Sequence, residues 1–157
     1  MALVKRERIW GLYNNYKFNT FIHWDLSPTN VFVDISNKKN GSSDFKVIDW
    51  QTSSIGVPQW DLAQILIPLL GKLNESDINQ YIDEYYDVFA STLDQNELKY
   101  FDKNQFKTIF NIIVADHSFR TSINVLLSND TENTEWEKCL KWLDLNKDEL
   151  KLNLEAI

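Results

Sequence analysis

The segment that decides the fold is His23-Trp24-Asp25-Leu26-Ser27-Pro28-Thr29-Asn30, followed by the apolar run Val31-Phe32-Val33. A second apolar run, Phe45 to Ile48, ends directly at Asp49. Between the two runs lies a polar stretch with the pair Asn40-Gly41, which is typical of hairpin turns. Because a hairpin folds the chain back on itself, we expect Asp49 to return beside the loop that carries Asp25 and Asn30.

These three polar residues have the chemistry of a magnesium-dependent site. Mg²⁺ is a hard ion that prefers carboxylate, amide carbonyl and water oxygens. Phosphoryl transfer needs such ligands, together with a carboxylate near the attacking hydroxyl. An Asp and an Asn on one loop, with a second Asp on the returning strand, supply that set. Taken singly, Asp25 and Asn30 also fit turn residues that bond their own loop, and Asp49 fits an ordinary strand-end carboxylate.

The pattern resembles the catalytic and metal-binding loops of the aminoglycoside phosphotransferase and choline kinase family, a branch of the protein-kinase-like fold. That family has His-Gly-Asp-x-x-x-x-Asn, then Ile-Asp-Trp or Ile-Asp-Phe, Gly-x-Pro and Asp-Leu-Ala. The matching residues are His23, Asp25, Asn30, Ile48, Asp49, Gly56, Pro58, Asp61, Leu62 and Ala63. The match covers about residues 20 to 66, and Trp24 departs from it, since the family has Gly there.

The resemblance implies a function and a role for each residue. The γ-phosphate of ATP or GTP would pass to a hydroxyl of a small molecule, such as an aminoglycoside, choline-like or sugar-like acceptor. Asp25 would be the catalytic base, and Asn30 and Asp49 would bind Mg²⁺. His23 and Asp61 would support the loop structurally, although Asp61 also fits a helix N-cap. No residue for binding the nucleotide can be named.

The sequence lacks the rest of a kinase. Its four glycines are scattered, and only about twenty residues precede the loop, so we expect the N-terminal nucleotide lobe to be absent. The isolated lobe would then be inactive, either as a fragment of a longer kinase or as a stand-alone lobe. The alternative function is a non-catalytic pseudoenzyme or protein-interaction module built on a kinase C-lobe. A protein kinase is disfavoured, because Ile-Asp-Trp stands where those enzymes have Asp-Phe-Gly.

The pattern along the chain predicts an α+β fold, mostly α, arranged as the C-terminal lobe of a protein-kinase-like fold. We expect a single domain over residues 1–157, with the loops and hairpin in 20–58 and a helical subdomain in 59–157. Apolar periodicity predicts helices over 4–18, 60–70, 106–127, 134–144 and 147–155. A further helix, capped by Asn74 or Ser76, carries apolar residues from Ile78 to Phe89 on one face. Pro68 should end or kink the second of these helices.

Composition limits the classes of binding partner that the chain can have. The net charge of −7 disfavours nucleic acid and an anionic membrane surface as partners. The N-terminus has no signal peptide and no apolar run is long enough to span a bilayer, so a cytoplasmic location is expected. Cys139 is the one cysteine and should be a buried apolar residue. The surface left by the absent lobe should favour self-association.

Overall fold

The fold is α+β and mostly helical, as predicted. A computed structural model describes residues 16–34, 44–128, 133–148 and 151 of the chain. The strands are β1 Thr20–Ile22, β2 Val31–Asp34, β3 Asp44–Val47 and β4 Ser54–Gly56. The helices are α1 Gln59–Leu66, α2 Glu75–Ala90, α3 Gln95–Leu98, α4 Lys103–Ser128 and α5 Glu135–Leu145. None of the helices in these ranges is long and apolar enough to cross a membrane.

Strands β2 and β3 pair antiparallel, as the hairpin prediction required. Val31, which directly follows Asn30, lies opposite Val47, which shortly precedes Asp49. The register therefore brings the two loop ends together at one end of the ribbon. The turn that joins the strands, residues 35–43, lies outside the described residues.

Strands β1 and β4 form a second antiparallel pair that the sequence did not predict. Each has three residues, which is too short to show an alternating pattern. Gly56 ends β4 where space is short: a Cβ there would lie 2.6 Å from Cδ1 of the buried Ile22, whose side chain would have to shift. Strand β1 leads into the first loop of the candidate site and β4 follows the second. Their pairing therefore holds the outer ends of the two loops together.

The helix boundaries follow local chemistry. Helix α1 ends at Leu66, and Pro68 lies in the 3-10 turn that follows, so the predicted break is confirmed. Asn74 caps α2 by accepting a hydrogen bond from the amide of Asp77. Helix α3 was not predicted; it has four residues and begins with a capping box between Asp94 and Glu97.

The core lies where α1, α4 and α5 pack together, with α2 against the same cluster. Helix α4 supplies its centre through Phe106, Ile109, Phe110, Ile113 and Val114. A buried hydrogen bond from Nε1 of Trp142 to Oδ1 of Asn111, 2.8 Å long, joins α5 to α4. This packing fixes α1, which in turn holds the candidate site.

The two terminal helix predictions fall mainly outside the described residues. Residues 4–15 of the first are not described, and its last part, Tyr16 to Phe18, is not helical. Tyr16 is buried there and accepts a hydrogen bond from Nε2 of Gln59 at 3.1 Å. Tertiary packing therefore overrides the helical periodicity at this end. Of the segment 147–155, only residues 147, 148 and 151 are described.

Candidate functional site

The first loop of the site joins β1 to β2 and brings Asp25 and Asn30 together. A 3-10 turn over Pro28–Asn30 closes the loop. Nδ2 of Asn30 donates to the backbone oxygen of Asp25 at 2.9 Å and to its Oδ2 at 3.3 Å. The Asp25 side chain is exposed and that of Asn30 is half-buried. The acid and the amide predicted to act together are thus hydrogen-bonded neighbours.

The second loop carries Asp49 and is joined to the first through the backbone. The amide of Ile48 donates to the carbonyl of Asn30 at 3.0 Å. The carbonyl of Ile48 accepts a hydrogen bond from Nε2 of His23 at 2.8 Å. Asp49 follows with an exposed side chain and a left-handed backbone, φ 64°. The first bond places the residue that precedes Asp49 directly beside Asn30, and the second ties it to His23.

Four hydrogen bonds fix the dipeptide His23-Trp24. The carboxylate of Asp61 accepts from the amide of His23 at 2.6 Å and from the amide of Trp24 at 2.9 Å. Oγ1 of Thr52 donates to the carbonyl of His23 at 3.2 Å. Nε1 of Trp60 donates to the carbonyl of Trp24 at 3.0 Å. Every backbone polar group of the dipeptide therefore has a partner from elsewhere in the chain.

Asp61 supports the loop rather than capping its own helix, so the N-cap interpretation is wrong. It is the third residue of α1, where its carboxylate reaches across to β1's loop instead of to the first amides of α1. Pro58 occupies the N-cap position without a side-chain hydrogen bond. Asp61 is only 9% exposed, and two short bonds from backbone amides stabilise its charge there.

The buried side chain of His23 connects the first loop to the second. Its side chain is 1% exposed, and its ring packs edge-on against Trp50 with centroids 4.7 Å apart. Because a carbonyl oxygen can only accept, Nε2 carries the hydrogen that bonds Ile48. Among the described residues, Nδ1 has no hydrogen-bond partner. The histidine is therefore placed to position the loop of Asp49 and does not reach the surface.

Trp24 and Asp49 are the two non-glycine residues with positive φ among the described residues. Trp24 has φ 72°, and a left-handed backbone costs an L-residue about 1–3 kcal/mol. Its indole stacks on Trp60, with centroids 4.8 Å apart and planes 11° from parallel. The large side chain at this left-handed position is accommodated by this stack and by the four bonds on its dipeptide.

Sequence reasoning did not find Thr52 and Trp60, which hold the loop from the 3-10 turn Trp50–Thr52 and from α1. Neither residue type has a spacing signal that predicts a hydrogen bond to a carbonyl 29 or 36 residues away. Their roles follow from the tertiary fold alone.

The exposed atoms of the site are hard oxygens. Nδ2 of Asn30 faces Asp25, so Oδ1 of Asn30 is left for another partner. The carboxylate of Asp49 makes no capping bond to the 3-10 turn that follows it. No group of three or more His, Cys, Asp or Glu residues in the described ranges is arranged to hold a metal ion. Two carboxylates and one amide are what this loop pair offers.

A family model matches residues 14–131, which is 118 of the 157 residues. The family is DUF1679, and its description is "Uncharacterized oxidoreductase dhs-27". No curated protein and no solved structure gives a significant match to the chain.

This match corrects the family predicted from the loop pattern. The aminoglycoside phosphotransferase and choline kinase assignment is wrong, and so are the phosphotransferase function and the kinase identity that followed from it. The pseudoenzyme alternative depended on the same resemblance. That pattern covers two loops and a helix start, whereas the family match extends from the segment before β1 through the whole of α4. The chain belongs to the DUF1679 family.

Proposed function

We propose that this chain binds a divalent cation, with Mg²⁺ as the expected ion, at the junction of its two loops. Asn30 would contribute Oδ1 and Asp49 its carboxylate, with the carboxylate of Asp25 beside them. The three side chains offer only oxygen ligands, which suits a hard ion. Mg²⁺ usually keeps several waters and takes one or two carboxylates from a protein, so a small exposed set is sufficient.

The observation that carries this proposal is the orientation of the Asn30 amide. Its nitrogen is occupied by two acceptors of Asp25, which assigns the oxygen to the opposite side. Its backbone oxygen receives the amide of Ile48, one residue before Asp49. Left-handed residues such as Asp49 cluster at binding and catalytic sites, where the surrounding structure holds the strain.

The bound ion would give the chain an anchor for an oxyanion-bearing small molecule. Open coordination positions of Mg²⁺ are commonly filled by substrate oxygens. Asp25 is exposed beside them and can accept a hydrogen bond from a hydroxyl of the same ligand. A small-molecule partner, and ATP or GTP as ligands of the ion, stay predictions.

The family description contains the word oxidoreductase, but the residues of this chain favour cation binding over redox chemistry. A dinucleotide-binding strand and helix would need a Gly-x-Gly-x-x-Gly segment, and the four glycines of the sequence, Gly11, Gly41, Gly56 and Gly71, form no such pattern. The single thiol, Cys139, is buried, and burial raises its pKa to about 12. The chain therefore offers neither a glycine-rich dinucleotide-binding segment nor a reactive thiol for redox chemistry.

We also propose the finer fold description, the C-terminal lobe of a protein-kinase-like fold, as a statement about architecture alone. It is supported by the order of loop, hairpin, second loop and helix, and by the bonds from Asp61 on α1 back to the first loop. A fold does not determine an activity, so this proposal carries no reaction with it. An experimental structure in which α1 does not contact the first loop would refute it.

Cation binding is tested with Mn²⁺, which binds hard-oxygen sites and gives a paramagnetic signal that Mg²⁺ does not. Electron paramagnetic resonance of the 157-residue chain should show one bound Mn²⁺ that excess Mg²⁺ displaces. Asp49→Asn should weaken binding at least about tenfold, since it removes a charged ligand while keeping the shape.

The matched control is Asp87→Asn, which removes an equally exposed carboxylate from α2. It should leave the Mn²⁺ affinity unchanged, because a chain of charge −7 also attracts cations without a site. Equal affinity of the wild type and both variants would remove the proposal.

A further inference from the structure

The strand side of the molecule exposes an unusual amount of apolar surface. Seven large apolar side chains in this part are 46% to 69% exposed. Phe32 belongs to the opposite face of β2 from Val33, because successive side chains of a strand alternate. We call the other six the β-side surface: Phe21, Val33, Phe45, Ile48, Trp50 and Ile55. Together they expose the equivalent of about three and a half whole side chains, or roughly 600 Å² at the 150–250 Å² that a large side chain buries. This is at the upper end of the largest apolar patch on a typical monomer, and such patches are often functional.

Direct contacts join part of this surface. Phe21 and Ile55 lie opposite one another in the register of β1 and β4. The ring of Trp50 stacks on Phe21, with centroids 5.9 Å apart, and its Nε1 donates to the carbonyl of Val47 at the end of β3. Trp50 therefore connects the β1–β4 pair to the end of the β2–β3 pair.

The β2–β3 pair contributes a further group of exposed apolar side chains. Val33 and Phe45 are cross-strand partners in β2 and β3, and both are more than half exposed. Each sheet in the described part of the chain has two strands, so each strand has a free edge. A two-stranded ribbon is marginally stable by itself and gains stability from a third strand or a packed apolar face.

Charge indicates which partner suits this surface. Residues 16–56 contain four Lys and four Asp, a net charge of zero. Residues 57–157 contain nine basic and eighteen acidic residues, a net charge of −9. Two copies can therefore bring their neutral strand sides together while the acidic helical regions point apart.

We propose that the β-side surface is the interface of a homodimer, with a second copy of this chain as its occupant. Two such surfaces would bury roughly 1,200 Å² of apolar area, which reaches the lower end of stable interfaces. A two-fold axis would let one patch serve both copies. Ile48 and Trp50 flank Asp49, so the dimer would place the two loops at its edge. The proposal does not depend on cation binding.

Helix α4 offers a competing surface. Its last turns expose Phe119, Ile123, Leu126 and Leu127, and none of its residues after Ser118 is buried. The stripe itself carries only Arg120, which pairs with Asp116, but it belongs to residues 57–157, whose net charge is −9 in each copy. Repulsion between two such regions disfavours self-association through α4.

Sedimentation equilibrium of the full chain tests the proposal between about 1 and 100 µM. The wild type should show a mass of about 37 kDa, twice the 18.5 kDa of one chain. Phe45→Glu and Ile55→Glu should each raise the dimer dissociation constant at least about 30-fold, since each buries a charge in the apolar interface. Both positions are exposed, so the fold of the monomer should tolerate them, as circular dichroism would verify.

Leu126→Glu is the matched control, because it puts the same charge on the competing stripe. It should leave the dimer unchanged. A wild type that remains monomeric over the whole range would overturn the proposal. Dissociation by Leu126→Glu, or persistence of the dimer in both Phe45→Glu and Ile55→Glu, would do the same.

Discussion

Asp61 is the residue on which the geometry of the first loop depends most. It accepts two backbone amides from a dipeptide that includes a left-handed residue. We expect Asp61→Asn to lower the free energy of unfolding by about 2–3 kcal/mol, because one buried amide would then face an NH₂ group instead of an acceptor. Urea denaturation followed by tryptophan fluorescence would measure the loss.

The control for this change is Asp87→Asn, which also removes one negative charge but from an exposed position on α2. It should change the free energy of unfolding by less than about 0.5 kcal/mol. Equal effects of the two substitutions would mean that the bonds of Asp61 contribute nothing beyond charge.

Trp24 allows the cost of its left-handed backbone to be measured separately from the stacking of its ring. Trp24→Ala and Trp24→Gly both remove the stack on Trp60, but only glycine is free of the strain at φ 72°. We expect the glycine variant to be more stable than the alanine variant by about 1 kcal/mol. Both should be less stable than the wild type, since the stack and the apolar contact are lost.

The usual order of these two residues makes the outcome decisive. At an ordinary backbone position alanine is the more stabilising residue, because glycine loses more conformational freedom on folding. An alanine variant at least as stable as the glycine variant would show that residue 24 is not left-handed in solution.

For single residues, the sequence indicated which polar side chains share a chemistry, but not which backbone conformations the fold imposes. Asp25, Asn30 and Asp49 could be selected because carboxylates and amides at those spacings have a shared chemistry. The positive φ of Trp24 could not be foreseen, since the local sequence favours no left-handed tryptophan and the conformation is imposed by Asp61, Thr52 and Trp60. The family could not be foreseen either, because the quoted motif covered less than half of the chain.

An ion-pair cluster joins two elements, α2 and α4. Oδ1 of Asp83 lies 2.9 Å from Nζ of Lys107 and 3.2 Å from Nζ of Lys103. Desolvation alone would raise the pKa of Asp83, but the bonds from Lys107 and Lys103 outweigh it and hold the pKa below its ordinary value. The cluster is partly exposed, so we expect Asp83→Asn to cost only about 0.5 kcal/mol at pH 7.

The lowered pKa gives this prediction a direction in pH. A carboxyl that ionises more readily in the folded state stabilises it above the unfolded-state pKa of about 3.9. That contribution is lost as the pH falls through the lower, folded-state pKa. The stability difference between wild type and Asp83→Asn should therefore shrink below about pH 4, as urea titrations at several pH values would show. A difference that grows in acid would contradict the direction of the shift.

Element prediction succeeded where a local signal was strong. Pro68 ended α1 as expected, and the apolar spacing of α4 from Phe106 onward matched the buried face that forms the core. It failed for β4 and α3, whose three and four residues are too few to show a period. The pairing of Phe21 with Ile55 depends on loops that return the chain over thirty residues, which no local pattern encodes.

For the whole molecule, the packing of α5 against α4 decides whether the described helices unfold as one unit. Cys139 lies in that contact with no exposed surface, as the sequence predicted. Burial, and then the charge of Glu135, raises the pKa of its thiol to about 12. A thiol with this pKa has almost no reactive thiolate at pH 8, so it should react only after the chain opens.

We therefore expect a thiol reagent at pH 8 to label Cys139 at least about 10³-fold more slowly in the folded chain than in the urea-unfolded chain. In small amounts of urea, the logarithm of the rate should rise with the slope of global unfolding, because α5 cannot leave α4 without exposing the core that α1 shares. A Leu126→Cys variant supplies an internal control, since its new thiol is on the exposed stripe and should react at once. Fast labelling of Cys139, or a rate independent of urea, would mean that α5 detaches alone and that the single domain predicted from the sequence is two units.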